Sequence, residues 1–210
     1  VIRLDPRAQQ DADYLVTWEC LHTLRLMGVP AEARFQISAT ADGRTEASRL
    51  VAVHHQGSNP RIRPDMLSKL ANHLHDGLLL QLRSVPIGLR IDTGRQDDYP
   101  SLEEQQRRAV VRQLNDNSRG LAPDVAQTVP GRIRRANLTI TAAFALFWSR
   151  AWNDPTIAVP YRAAGFVVDG EALLHLFDQL PKEPVHDREL IDSWGKQLGL
   201  AGWYKLVTAG

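Results

Sequence analysis

Apolar residues change their spacing repeatedly over the first 94 residues, and that succession restricts the possible folds more than any other feature of the chain. Val1–Leu4 reads as a short strand, ended by Asp5-Pro6 because proline blocks its continuation. From Ala8 to Met27, the residues Ala12, Val16, Cys20, Leu24 and Met27 recur every three or four positions and make one helical stripe. Gly28 and Pro30 stop that helix. Ala33–Thr40 then alternates, with Phe35, Ile37 and Ala39 on one face of a strand. The Asp42-Gly43 dipeptide supplies a turn, and Leu50–His55 returns as a second strand paired with the first. After a loop at Gly57–Pro60, Asp65 caps a helix to about Arg83 with the stripe Leu67, Leu70, Ala71, Leu74 and Leu78. Val85–Ile91 is a further strand, closed by Gly94. The order strand, helix, strand, strand, helix, strand predicts a ferredoxin-like βαββαβ domain over residues 1–94, with both helices on one face of an antiparallel sheet.

The remainder predicts two further parts and an α+β fold class overall. Residues 95–135 comprise a polar linker, 95–100, and a helix opened by the capping box Ser101…Glu104 and running to about Asn115, followed by loop to Gly131. Residues 136–210 are mixed and mainly helical. Ala136–Trp152 is strongly apolar, and its β-branched Thr139-Ile140-Thr141 leaves helix and strand–helix both open. A strand at Gly165–Val168 leads into helices Glu171–Leu180 and Asp187–Leu198, and Trp203–Val207 closes the chain as a strand.

Several function classes lose their basis. The longest apolar run, Thr141–Trp148, is far short of the roughly 20 residues of a membrane span. The first residues lack the apolar stretch of a signal peptide, and Cys20 is the single cysteine, so a soluble, cytoplasmic chain is expected. Cys20 itself, on the apolar stripe, reads as a small core hydrophobe. His54 and His55 would point to opposite faces of a strand, and His73 and His75 diverge by about 160° on a helix, so no metal site is expected. No phosphate-binding loop, dinucleotide fingerprint or nucleophile elbow is present, and no cofactor is expected.

Two features point towards an anionic ligand. Opposite the first apolar stripe lie Tyr14, Trp18, His22 and Arg25. Either the C-terminal half packs over this face, or it receives a flat anion such as RNA, because aromatics stack on bases and arginine binds phosphate. A histidine there can act as a general base. The second feature is charge. The chain has 21 Arg against 4 Lys, a bias that a GC-rich genome also produces. Its net charge is only +1, yet residues 105–135 carry +5, from Arg107, Arg108, Arg112, Arg119, Arg132, Arg134 and Arg135 against Asp116 and Asp124. Residues 151–210 carry −3. A groove between the N-terminal domain and the arginine-rich helix would suit a nucleic-acid backbone.

The strand Ile2-Arg3-Leu4, the pair Leu21-His22 ahead of Gly28, and the helix bearing Arg107, Arg108 and Arg112 resemble the repeat-RNA-processing endonucleases of CRISPR systems, of the RAMP superfamily. The resemblance implies an RNA-binding subunit of a ribonucleoprotein with other protein subunits as partners, and metal-independent RNA cleavage with His22 as general base and Arg25 stabilising the phosphorane. Gly199–Gly202 echoes that family's glycine-rich loop, whereas 136–210 has no counterpart in it. Two other classes stand beside this one. One is a ferredoxin-like small-molecule sensor or dimeric α+β barrel enzyme, with Tyr14, Trp18 and His22 lining a pocket. The other is a protein-docking adaptor of a mobile genetic element, using the acidic C-terminal helix pair and its winged-helix-like strand.

Overall fold

The computed structural model describes residues 6–56 and 63–208. The chain is mainly helical, with α1 at Ala12–Met27, α2 at Ala41–His54, α3 at Pro64–Asp98 and α4 at Glu103–Ser118. A short α5 at Pro123–Thr128 precedes α6 at Gly131–Ala151, followed by α7 at Val159–Ala163, α8 at Val167–Gln179 and α9 at Asp187–Gln197. Two strands, β1 at Phe35–Ala39 and β2 at Tyr204–Thr208, form the one sheet among the described residues.

The most apolar segment sits at the centre. In α6, Leu138, Ile140, Ala142, Ala143, Ala145 and Trp148 have no exposed surface, so the helix is packed on all sides. A helix apolar all round belongs inside a core, and a three-residue β-branched run does not outweigh that packing. Helix α8 approaches α6 closely through Gly170, where a Cβ would fall 2.9 Å from Leu146 Cδ1 and 3.0 Å from the Ala143 nitrogen. The same core takes in Ala47 of α2, Leu78–Ile91 of α3, Val110 of α4, Leu190 and Trp194 of α9, and Trp203 and Tyr204.

The ferredoxin-like βαββαβ arrangement expected for residues 1–94 is not present. Its first strand, Val1–Leu4, and the loop Gly57–Pro60 lie outside the described residues. Leu50–His55 is the end of α2, and Val85–Ile91 lies within α3, which continues through Pro86 and into the expected linker as far as Asp98. Those residues of α3 are buried on every side. Their alternation of Val85, Ile87, Leu89 and Ile91 with Pro86, Gly88 and Arg90 has the spacing of a strand, but a short segment buried all round is not assigned by spacing alone. Only β1 forms as expected, and its partner is β2 rather than a neighbouring hairpin strand. The pair is antiparallel, with Phe35 opposite Thr208 and Ala39 opposite Tyr204.

Asp42-Gly43 starts a helix instead of turning a hairpin. The Thr40 hydroxyl accepts a hydrogen bond from the Gly43 N–H at 2.9 Å, capping α2. Gly43 also lets the Trp203 backbone in, since a Cβ there would lie 2.5 Å from the Trp203 carbonyl oxygen. His75, fully buried on α3, stacks on Trp203 and donates to the same carbonyl at 3.2 Å. The expected strand at Gly165–Val168 is the start of α8, whereas the closing strand forms within a residue of its expected place.

Helix α1 is turned the other way from its sequence stripe. Val16, Leu24 and Met27 are exposed, as is Cys20, which is therefore no core residue. Tyr14 is buried, and Trp18, Leu21, His22 and Arg25 face the molecule. The reason is α3, whose Gly88 and buried Asp92 offer this aromatic and polar face better partners than an apolar stripe would find.

Candidate anion-binding cleft

The inward face of α1 meets α3 along a seam. The Trp18 ring sits on Gly88, where a Cβ would lie 3.3 Å from Trp18 Cζ2, so the absence of a side chain at 88 sets the depth of the indole. One turn above it, Tyr14 donates its hydroxyl hydrogen to Asp92 Oδ1 at 3.2 Å. One turn below, the His22 ring lies 5.4 Å from Trp18, with its Nδ1 3.9 Å from Glu19.

Beyond His22 the seam opens into a narrow cleft with an internal volume of about 20 Å³, room for about one water, lined by His22, Arg25, Arg34, Arg83, Ile87 and Asp187 among others. Two of its three arginines have fixed work. Arg25 donates from Nε and Nη2 to the two oxygens of Asp187, at 2.6 and 2.7 Å, and from Nη2 to the Lys182 carbonyl. Arg34 holds the end of α1, donating to the carbonyls of Val29 and Met27 at 3.1 and 3.2 Å. Arg90, behind the cleft, has its side chain only 1% exposed and donates to Asp187 Oδ1 at 2.9 Å. Asp187 is thus shared between two guanidiniums.

Arg83 differs from these. It is half-buried in the cleft wall and has neither a hydrogen bond nor an ion pair among the described residues. Its charge is felt by His22, whose pKa is pushed below its ordinary value first by burial and then by Arg83. Glu19 and Asp187 pull the other way without reversing the shift. At neutral pH His22 is therefore neutral and can donate or accept a hydrogen bond. Burial likewise lowers the pKa of Arg90, opposed by Asp187. Arg25, Arg34, Arg83 and Arg90 lie in or behind the cleft wall with Asp187, and the carboxylates of Glu19 and Glu183 are near enough to act on His22 and Arg90.

The other candidate residues are distributed differently. Tyr14 and Trp18 line a crevice next to the cleft. Arg108 donates to Asp11 and Glu104, and Arg112 pairs with Asp11 at 2.7 Å, so this part of α4 clamps a nearly fully buried carboxylate. Arg107 lies over the Trp152 ring at 4.8 Å. Arg132 pairs with Glu46 and sits over Trp203, Arg134 donates to the Gly120 and Leu121 carbonyls, and Arg135 pairs with Asp169. Arg119 is exposed and has no ion pair among the described residues. The structure brings His22 and Arg25 together and does not gather the seven arginines of 105–135 into one surface.

Arg34, Arg83 and Asp187 come from three separate parts of the chain, and no spacing links them. Asp187 was legible only as a helix cap, and Arg83 only as a helix end. His54 and His55 close α2 side by side, bonded through Nε2 to the carbonyls of Gln127 and Thr128, so they do not straddle a strand. Among the described residues no cluster of His, Cys, Asp and Glu suits a metal ion, and no helix is long and apolar enough to cross a membrane. No family model, curated protein or solved structure matches the chain.

Proposed function

We propose that this chain binds a phosphate group at the solvent-open mouth of the cleft between α1 and α3, where Arg83 stands. The observation that carries the reading is Arg83, a half-buried guanidinium without an ion pair among the described residues, in a wall with a neutral histidine and with Arg25, which together with Arg90 is already engaged by Asp187. A guanidinium is always charged and its fork matches phosphate oxygens, so an anion here relieves an unfavourable concentration of like charge. His22 adds a neutral hydrogen-bonding and proton-accepting group beside the bound oxyanion. RNA enters this reading as one source of phosphate, bound through a single group. An extended arginine groove has less support, because Arg108, Arg112, Arg132, Arg134 and Arg135 are already held by partners within the chain.

The test is calorimetric titration with inorganic phosphate, against chloride at equal ionic strength. Wild-type protein is expected to bind phosphate at one site, and Arg83→Gln to weaken it about tenfold, in line with the loss of one charge-assisted hydrogen bond. Phosphate that binds no better than chloride, or equally well to Arg83→Gln, refutes the reading.

A further inference from the structure

Trp18 separates the Arg83 cleft from a second opening, which shares no lining residue with it. This crevice lies where α1, α3 and α4 meet and has an internal volume of about 420 Å³, the size of a pocket that holds a small molecule. Small side chains make the room. Ser84 and Gly88 stand one turn apart on α3, and Ala109 joins them from α4. Helix α1 closes one side with Leu15 and Trp18, and the buried Val85 and Phe144 form the bottom. The walls are therefore mostly carbon, and one of them carries an indole.

The charged groups of the crevice are mainly acidic. Asp92 lies at depth, 4% exposed, and accepts hydrogen bonds from the Tyr14 hydroxyl and from Gln106 Nε2 at 3.0 Å, so it is held by the fold. Arg112, the basic residue of the wall, is bound to Asp11 at 2.7 Å. Glu19 on α1 and Asp116 on α4 remain, both exposed at the edge of the opening. The neighbour of Glu19 is the His22 ring, 3.9 Å away and neutral at pH 7, and Asp116 has no ion pair among the described residues. An exposed carboxylate is well solvated, so its charge alone recruits little. Beside an apolar pocket the balance changes. A ligand body that fills the pocket displaces water, and an ammonium carried on that body meets the two carboxylates at a lower dielectric. An acidic ligand would meet them as like charges, and a bare cation would gain nothing from the carbon walls.

We infer that this crevice binds an aromatic amine, with the ring system among Trp18 and the small residues of α3 and α4, and the ammonium at the edge beside Glu19 and Asp116. The site is distinct from the phosphate site and stands or falls without it. Buried apolar area supplies the affinity, and the two carboxylates select the sign of the charge. Neutral and acidic molecules of the same shape are discriminated against by the loss of that pairing or by repulsion.

The experiment titrates the full chain by calorimetry with four probes. Tryptamine carries both ring and ammonium, indole-3-ethanol and indole-3-propionate keep the ring and change the charge, and propylamine keeps the charge and lacks the ring. Tryptamine is expected to bind at one site, roughly tenfold or more tighter than each of the others, the size of one charge-assisted hydrogen bond or of one buried ring. Glu19→Gln with Asp116→Asn, both on exposed surface, should leave the urea midpoint in place, weaken tryptamine about tenfold, and leave indole-3-ethanol within about twofold. Ser84→Leu fills the crevice from its half-buried wall and should weaken tryptamine by about tenfold or more. Tryptamine that binds no tighter than indole-3-propionate, or equally well to the charge-neutral double variant or to Ser84→Leu, overturns the inference. So does the absence of tryptamine binding, whatever inorganic phosphate does at Arg83.

Discussion

Replacing Asp187 by asparagine should lower stability and raise anion affinity at once. The carboxylate is 7% exposed, and Arg90 behind it is 1% exposed. Asn keeps the shape but removes the charge that three guanidinium hydrogen bonds converge on. Removing one partner of a buried ion pair costs about 3–5 kcal/mol, because the other charge stays buried without compensation. With a urea dependence of about 2 kcal/mol per molar for a domain of this size, the unfolding midpoint should fall by about 1.5–2.5 M. Arg90→Met gives the internal comparison. It removes the buried guanidinium while Asp187 keeps Arg25, so its cost should be clearly smaller. The same Asp187→Asn change adds one unit of uncompensated positive charge to the cleft wall, and phosphate should bind severalfold tighter to the folded protein. A midpoint shift below about 0.5 M, or equal losses in the two variants, would refute the account of the triad. Weaker phosphate binding in folded Asp187→Asn would refute the electrostatic account of the cleft.

Three further outcomes follow from the same geometry. Gly43→Ala should lower the melting temperature through a loss of about 1–3 kcal/mol, because the new Cβ would meet the Trp203 carbonyl oxygen at 2.5 Å and His75 Nε2 at 2.9 Å; an unchanged thermal transition contradicts this. Arg108→Ala with Arg112→Ala should destabilise by about 3 kcal/mol in urea unfolding, since Asp11, 1% exposed, loses two guanidiniums. For His22 the folded pKa lies below the ordinary 6.5, so the unfolded chain binds more protons as pH falls through that value. Its contribution to stability is whole above about pH 6.5 and declines from there down to the folded pKa. An anion in the cleft favours the protonated ring, so sulfate, which does not titrate in this range, should bind severalfold tighter at pH 5.5 than at 7.5 in the wild type. His22→Gln should abolish that dependence.

The elements legible in the sequence were those with one apolar face. The stripe from Leu67 to Leu78 packs inward with its buried members Ala71 and Leu78, the Ser101 region opens a helix, and the alternation of Phe35, Ile37 and Ala39 is a strand. Segments buried on all sides were misread, because periodicity reports only a difference between faces. In Val85–Ile91 the apolar Val85, Ile87, Leu89 and Ile91 alternate with Pro86, Gly88 and Arg90, which is the spacing of a strand, although every one of these residues is buried in the helix. Proline removes one donor from the middle of a helix. In α3 the surrounding core outweighs that loss, and the sequence around Pro86 carries no sign of the surroundings. The partner of β1 was equally hidden. Pairing across some 165 residues depends on α9 and the turn at Gly199 and Gly202, both with positive φ, which swings β2 back alongside β1.

Helix α1 shows why half of the site was legible and half was not. Tyr14, Trp18, His22 and Arg25 stand out because their spacing places them on one side and their chemistry does not suit open solvent. That face does pack against the rest of the chain, partly against the C-terminal half through Asp187 and Lys182. Sequence density of arginine, by contrast, led to 105–135, where most guanidiniums serve the fold. A guanidinium has five donors and no acceptor, so in a compact chain it is drawn to carbonyls and carboxylates wherever these are left over. Arg34 and Arg134 hold helix ends, and Arg25, Arg90, Arg108 and Arg112 share two carboxylates. A count of arginines therefore measures structural demand as much as ligand binding. The informative residue is the one that the fold leaves facing a cleft without an acidic partner, and that condition depends on all the neighbours at once. Arg83 stands closest to this among the arginines of the cleft wall, half-buried and without an ion pair among the described residues while its guanidinium still reaches water, on a stretch of α3 where nothing in the sequence distinguishes it from the helix around it.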